Sequence, residues 1–214
     1  QQVEFAIRVL AAVAIAITVY FIYITEWVFL FITLFSVAAA YLYMGGPKPI
    51  AYTPYGEIAV FVFFGLVATC GTYYLQLGTV SNNITVVGCA LGLIAAAVLC
   101  VNNFRDIKHD ESIQRYTMAV VLGEKLTILA YQLLVFVPYL LILIIVANDW
   151  TRYPYMLVLL TLPKAFQLPR QLLFLQGDDL NGTLFATVKL ELLFTMSLTL
   201  GALIHAYLAW FNPS

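Results

Sequence analysis

"NNFRDIKHDESIQRY", residues 102–116, is the stretch on which the reading of this chain turns. It gathers Arg105, Asp106, Lys108, His109, Asp110, Glu111 and Arg115. The 214 residues are 63% hydrophobic and only 10% charged, where a soluble domain carries about 25% charged residues. Mean hydropathy is +0.95, and apolar runs long enough to cross a bilayer recur from end to end. They do not alternate as the short segments of a β-barrel do. The fold class expected is therefore all-α: a polytopic transmembrane helical bundle, one domain over residues 1–214.

Working outward, the pattern predicts seven helices, at about 3–24, 27–44, 57–78, 83–103, 124–147, 154–175 and 183–211. Pro163 and Pro169 are expected to kink the sixth. "GGPKPIAYTPYGE" (45–57) is too rich in Gly and Pro to be helical throughout. Short connections make neighbouring helices antiparallel. One side then collects Arg8, Lys48, Arg105, Lys108, Arg115, Lys125 and Arg170, and the other only Arg152. Basic residues mark the cytoplasmic face or its matrix or stromal equivalent, in a bacterial inner membrane or an organellar one. The first residues lack the basic region and cleavage site of a signal peptide, and also an initiator Met. No basic cluster with interleaved aromatics points to nucleic acid. Cys70, Cys89 and Cys100 lie in apolar runs at no metal or disulfide spacing and read as packing residues. "GCALG" (88–92) is a small-xxx-small pattern suited to close helix contact.

Asp106 and Asp110 are four residues apart, so any helical turn puts both carboxylates on one face. A hard divalent cation such as Mg²⁺ relieves their repulsion, with water and phosphate oxygens completing its shell. Arg105, Lys108 and Arg115 suit the same anionic ligand. Asn102 and Asn103 sit at the membrane end, where paired amides are costly unless used. The plainer alternative is a solvated loop whose charges only set topology. His109 needs no role. His205 reads as a neutral histidine bonded to a neighbouring helix, and Glu191 as a partner of Lys189 or of a neighbouring chain.

"NNFRDIKHDESIQRYTMAVVLGEK" (102–125) resembles the second aspartate-rich motif of the UbiA superfamily of intramembrane prenyltransferases. The likeness is greatest to the 1,4-dihydroxy-2-naphthoate polyprenyltransferases of menaquinone synthesis. Asn102, Asn103, Arg105, Asp106, Asp110, Thr117, Ala119, Val120 and Gly123 match, and Arg115 stands in for a basic Lys. Upstream, "YMGGPKPIAYTPYGEIAVFVFFG" (43–65) and "GTYYLQ" (71–76) are similar to further family stretches. Glu111, Gln114 and Met44 depart from the usual Arg, Gly and Thr. The resemblance implies transfer of a polyprenyl group from its diphosphate to an aromatic quinone precursor. Asp106 and Asp110 would be the catalytic, Mg²⁺-holding pair. Asn102, Asn103, Arg105, Arg115, Lys48, Tyr43, Tyr73, Tyr74 and Gln76 would bind substrate, and lipid would surround the bundle.

Family members have nine helices, with a first acidic motif between the second and third. This chain starts at the third and shows no second motif: "SNN" (81–83) is followed by no acids, and "GDDLNG" (177–182) has the wrong spacing. The expectation is that these 214 residues alone do not turn over substrate. Activity would need an upstream segment or a separate chain with the missing helices. Alternatively, the chain is a non-catalytic, prenyltransferase-derived subunit of a membrane complex, serving as scaffold or binding quinone or lipid.

Overall fold

The computed structural model describes residues 2–24 and 27–211. Its regular structure is entirely helical: α1 (Gln2–Ile24), α2 (Val28–Met44), α3 (Gly56–Leu77), α4 (Asn82–Arg105), α5 (Ile107–Ser112), α6 (Met118–Asn148), α7 (Leu162–Phe174) and α8 (Asn181–Phe211). Three 3₁₀ stretches, Ile50–Tyr52, Trp150–Thr161 and Gly177–Leu180, link them. Four segments are long and apolar enough to cross a membrane: Gly56–Leu77, Asn82–Arg105, Met118–Asn148 and Gly177–Phe211. Arg8–Tyr23 and Val28–Met44 are shorter apolar helices. With the Trp150–Phe174 rod these make the seven expected. Phe64, Leu133, Leu160, Phe174 and Phe185 are each more than half exposed. Water does not tolerate so large an apolar surface, and lipid does.

Local chemistry sets the ends of the elements. Ser81 accepts a hydrogen bond from the Ile84 N–H (3.3 Å) and so caps α4. Gly78, in the left-handed region, closes α3. Between these caps, α4 turns a face of small residues inward. Gly88, Ala90, Gly92, Ala95, Ala96, Ala97 and Cys100 are among its buried or nearly buried positions. It packs against α3, α6 and α8.

The approach to α3 is backbone to backbone. A Cβ on Gly65 would stand 2.5 Å from the Gly92 Cα and 2.6 Å from the Gly88 carbonyl oxygen. One on Gly92 would stand 2.6 Å from the Phe61 carbonyl oxygen. The small-residue pattern thus does what its spacing implies. The α3 turns at this contact, Phe61–Val67, are π-helical.

Between α6 and α8 the glue is polar. The Tyr131 hydroxyl bonds Thr187 Oγ1 at 2.8 Å, and Thr187 donates to the Thr183 carbonyl at 2.8 Å. Tyr139 bonds Thr161 Oγ1 at 2.6 Å and so ties α6 to the 3₁₀ stretch before α7. Such bonds satisfy groups that lipid cannot, at about 1 kcal/mol each.

Two expected boundaries are corrected. The helix expected to begin near 124 begins at Met118, and its α-helical course is interrupted at Gly123 (φ 71°). The helix expected over 154–175 is α-helical only over Leu162–Phe174; Trp150–Thr161 is 3₁₀. This tighter stretch holds Pro154, which has no N–H to give. It lies close against α8, where a Cβ on Gly201 would be 2.5 Å from the Pro154 carbonyl oxygen. His205 is bonded to this stretch through Nδ1 and the Thr151 carbonyl (2.9 Å), as a structural histidine would be. Glu191 makes no ion pair with Lys189 among the described residues.

The α3–α4 contact is testable by overpacking. Gly65→Ala and Gly92→Ala should each lower stability by about 1–3 kcal/mol, seen as earlier thermal unfolding in detergent. Gly71→Ala, with nothing within 4 Å of its would-be Cβ, should not. Equal unfolding temperatures for all three variants would contradict the contact.

Candidate functional site

The site grows from the end of α4. The Asp106 N–H still bonds the Asn102 carbonyl (3.2 Å), but Asp106 itself leaves helical geometry at φ −94°, ψ 6°. A new turn starts at once, and the Asp110 N–H bonds the Asp106 carbonyl at 2.8 Å. The stretch expected to be a loop is therefore mostly the short helix α5, and the two aspartates stand one turn apart.

α5 ends in a Schellman motif. The Arg115 N–H reaches the Asp110 carbonyl (2.8 Å), and the Gln114 N–H reaches that of Glu111 (3.2 Å). Gln114 takes the left-handed position at φ 59°. This is where the family pattern has Gly, and a side chain there costs about 1 kcal/mol. The motif turns Arg115 back towards Asp110, and its Nη1 lies 3.8 Å from Asp110 Oδ1.

The two acids are held differently. Arg105 forks onto Asp106, with Nε to Oδ1 at 2.8 Å and Nη2 to Oδ2 at 2.7 Å. The same guanidinium donates to Asn102 Oδ1 (3.0 Å) and Asn181 Oδ1 (2.8 Å). Asp110 is only 7% exposed at its side chain and has no such fork. Burial, and then the Asp106 charge, raise its carboxyl above the ordinary carboxylate range; Arg115 and His109 oppose this without cancelling it. The Thr117 hydroxyl is near enough to ease the carboxylate but is not aligned into a hydrogen bond.

Arg115 lies over the Tyr52 ring at 4.1 Å and donates to the Tyr52 hydroxyl at 2.9 Å. The Tyr116 N–H bonds the Tyr52 carbonyl (3.1 Å). The 45–56 loop and the acidic motif therefore meet at one end of the bundle. Asn103 is buried and donates to Glu57 Oε1 at 2.8 Å. Asn102 lines a cleft of about 520 Å³ between α3, α4 and α8, with Phe64, Leu99, Phe185 and Glu191. Tyr43 lines another apolar cleft, of about 460 Å³, between α2 and α3. Lys48 is exposed on the connecting loop.

Three expected residues are not brought to the acids. Tyr73 and Gln76 line a groove at the far end of α3, and Tyr74 packs on Phe29 (6.2 Å). At about 1.5 Å per residue they stand roughly 25 Å along α3 from Glu57, so they cannot reach a head group at Asp106. Conversely, the sequence reading missed Tyr52 and Asn181. Tyr52 and Glu57 stood inside the matched "AYTPYGE" (51–57), whereas nothing flagged Asn181.

The profile of the UbiA prenyltransferase family matches residues 3–198. The chain is 35% identical over 174 residues to the 1,4-dihydroxy-2-naphthoate octaprenyltransferase of Haemophilus influenzae, covering 79% of this chain and 55% of that protein. It is 29% identical over 202 residues to the Bacillus subtilis enzyme of that name, covering 91% and 63%. Over 115 residues it is 44% identical to the Mycobacterium leprae one, covering 53% and 39%. The chain thus belongs to the UbiA prenyltransferase family and is an integral membrane protein of helical-bundle fold. Its likeness is to the menaquinone-type members, and it spans about 39% to 63% of the length of these three relatives.

The raised Asp110 carboxyl yields a prediction with a definite sign. The folded chain holds this proton to higher pH than the unfolded one. Its contribution to stability is present below the ordinary value of 3.8 and is lost as pH rises through the folded value. With a chelator present, Asp110→Asn should therefore raise the unfolding temperature near neutral pH, and the gain should vanish in acid. A destabilised variant at neutral pH would show that Arg115 outweighs burial.

Proposed function

We propose that the chain is the part of a membrane prenyltransferase that holds the diphosphate head of a polyprenyl donor for transfer to an aromatic quinone precursor such as 1,4-dihydroxy-2-naphthoate. The supporting observation is the buried Asp110 one helical turn from Asp106, flanked by Arg105 and Arg115, with Arg105 bonded to the Asn102 that lines the apolar cleft.

The residues fit a divalent cation, Mg²⁺ by preference. No cluster of three or more His, Cys, Asp or Glu exists among the described residues. Mg²⁺ does not need one, since it takes one or two carboxylates and completes its shell with water and phosphate oxygens. Asp110 has its carboxylate buried within the field of the Asp106 charge, with Arg115 Nη1 at 3.8 Å as its ion-pair partner and no forked hydrogen bonds, an arrangement that a divalent ion stabilises. Asp106 can turn to the same ion if Arg105 moves its fork to the phosphate oxygens, which it suits equally well. A cation held by Asp106 and Asp110 would supply charge neutralisation to the diphosphate leaving group.

The remaining work falls to this chain's own groups. Asn181 and Asn102 hold the Arg105 guanidinium in place through their carbonyl oxygens. Tyr52 holds Arg115 over the site by ring face and hydroxyl. The cleft past Asn102 takes the apolar tail, and Phe64 and Phe185 offer ring faces that favour a developing cation. The charged end faces the cytoplasm or its organellar equivalent, on the asymmetry of basic residues. The single acidic pair in these residues would serve together with an acidic motif elsewhere in the complete enzyme. Nothing observed favours a non-catalytic subunit or a separate partner chain.

Asp106→Ala and Asp110→Ala should each weaken Mg²⁺-dependent binding of a polyprenyl diphosphate about tenfold or more, about 1.4 kcal/mol. Unchanged affinity in both would exclude the site. Cysteines placed at Ser112 and Thr53 should react from the same side of sealed vesicles, the cytoplasmic one; reaction from opposite sides would break the arrangement.

A further inference from the structure

Thr117 stands at the N-terminal cap of α6, and its carbonyl accepts the Val121 N–H at 3.0 Å. A threonine there ordinarily turns its hydroxyl onto the N–H groups of the first turn. Thr117 does not: its side chain makes no capping bond. It is 2% exposed, and its Oγ1 is one of two buried side-chain oxygens without a partner among the described residues. A buried hydroxyl is normally bonded, and leaving it unpaired is costly. The chain brings this one back onto α5. The Arg115 N–H bonds the Asp110 carbonyl at 2.8 Å, and Thr117 follows two residues on. Beside the hydroxyl lies the Asp110 carboxylate, itself buried. That carboxylate has room for a donor, because Arg115 Nη1 stays 3.8 Å from Oδ1, beyond hydrogen-bond reach.

A lone donor and an acceptor with spare lone pairs are thus buried side by side and not joined. An ionised carboxylate only accepts, through both of its oxygens. A hard cation claims one of them. A hydroxyl that donates to the other fixes the plane of the carboxylate, as the outer partners of metal ligands do. The terminal torsion of an aspartate is soft, so a small turn makes the bond. We propose that Thr117 is a positioning residue for the acidic pair: its buried hydroxyl donates to the Asp110 carboxylate and fixes which oxygen Asp110 presents to the cation. This role rests on the proposed function and deepens it. Thr117 itself touches neither cation nor diphosphate. Arg115 cannot take its place, since Tyr52 holds the guanidinium by ring face and hydroxyl.

The test is the Mn²⁺ concentration that half-saturates binding of labelled geranylgeranyl diphosphate to the purified protein in detergent, with thermal unfolding in chelator beside it. Thr117→Val keeps the branched shape and loses the donor, so the half-saturating concentration should rise about tenfold. Thr117→Ser keeps the hydroxyl and should restore the wild-type value. In chelator, Thr117→Val should unfold no earlier than the wild type, since the hydroxyl it loses supports no cap. Wild-type Mn²⁺ dependence in Thr117→Val, or no recovery in Thr117→Ser, overturns the inference. Earlier unfolding of Thr117→Val in chelator also overturns it, and makes Thr117 a structural residue. If Asp110→Ala loses Mn²⁺-dependent binding while Thr117→Val keeps the wild-type dependence, this inference fails and the proposed function stands. If the wild type shows no Mn²⁺-dependent binding, or Asp106→Ala and Asp110→Ala both leave it unchanged, the two fail together.

Discussion

Gly92 and Gly65 leave no room for a side chain between α3 and α4, and that close approach sets the register of the two helices. With Gly65 against Gly88 and Gly92, Gly56 comes to lie against Leu99 and Glu57 beside Asn103. The first turn of α3 is thereby pinned to the last turn of α4. In lipid the buried Asn103–Glu57 bond cannot be exchanged for water, so it closes the pair at the charged end. The place where α4 stops is then defined, and the acidic turn that follows starts from a fixed base.

From that base, charge and backbone geometry shape the site. Arg105 is saturated by Asp106, Asn102 and Asn181 and ties α4 to the start of α8. Arg115 is delivered by the Schellman turn at Gln114 and tied by Tyr52 to the loop before α3. Between these two anchored cations Asp110 is buried and under-neutralised. A site that leaves a carboxylate in this state without ligand gains most when a divalent cation and an anion arrive together, and that coupling is the physical basis of the proposed function.

Much of this was legible in the sequence. The charged stretch stands out from the apolar background, and the Asp106–Asp110 spacing gives one face under any helical geometry. The glycine pattern at 88–92 predicts close packing without naming its partner. What could not be read depends on tertiary geometry. The break at Asp106 and the α5 turn follow from how Arg105 and Arg115 are anchored by residues far off in sequence. The 3₁₀ course of Trp150–Thr161 goes with its close contact at Gly201, which periodicity does not see. Tyr73, Tyr74 and Gln76, assigned to substrate by motif likeness, lie at the opposite end of α3 from the acids. Glu57 closes the irregular "GGPKPIAYTPYGE", and its burial in the first turn of α3 comes from the tertiary contact with Asn103.

The central claim is that Asp106 and Asp110 share one metal ion with a diphosphate. Electron–nuclear double resonance on protein loaded with Mn²⁺ in place of Mg²⁺, in the presence of a polyprenyl diphosphate, reads this contact directly. The account predicts a ³¹P coupling to the bound Mn²⁺ that disappears in the Asp106→Ala/Asp110→Ala double variant. The same coupling persisting in that variant would place the metal–diphosphate contact elsewhere and contradict the account.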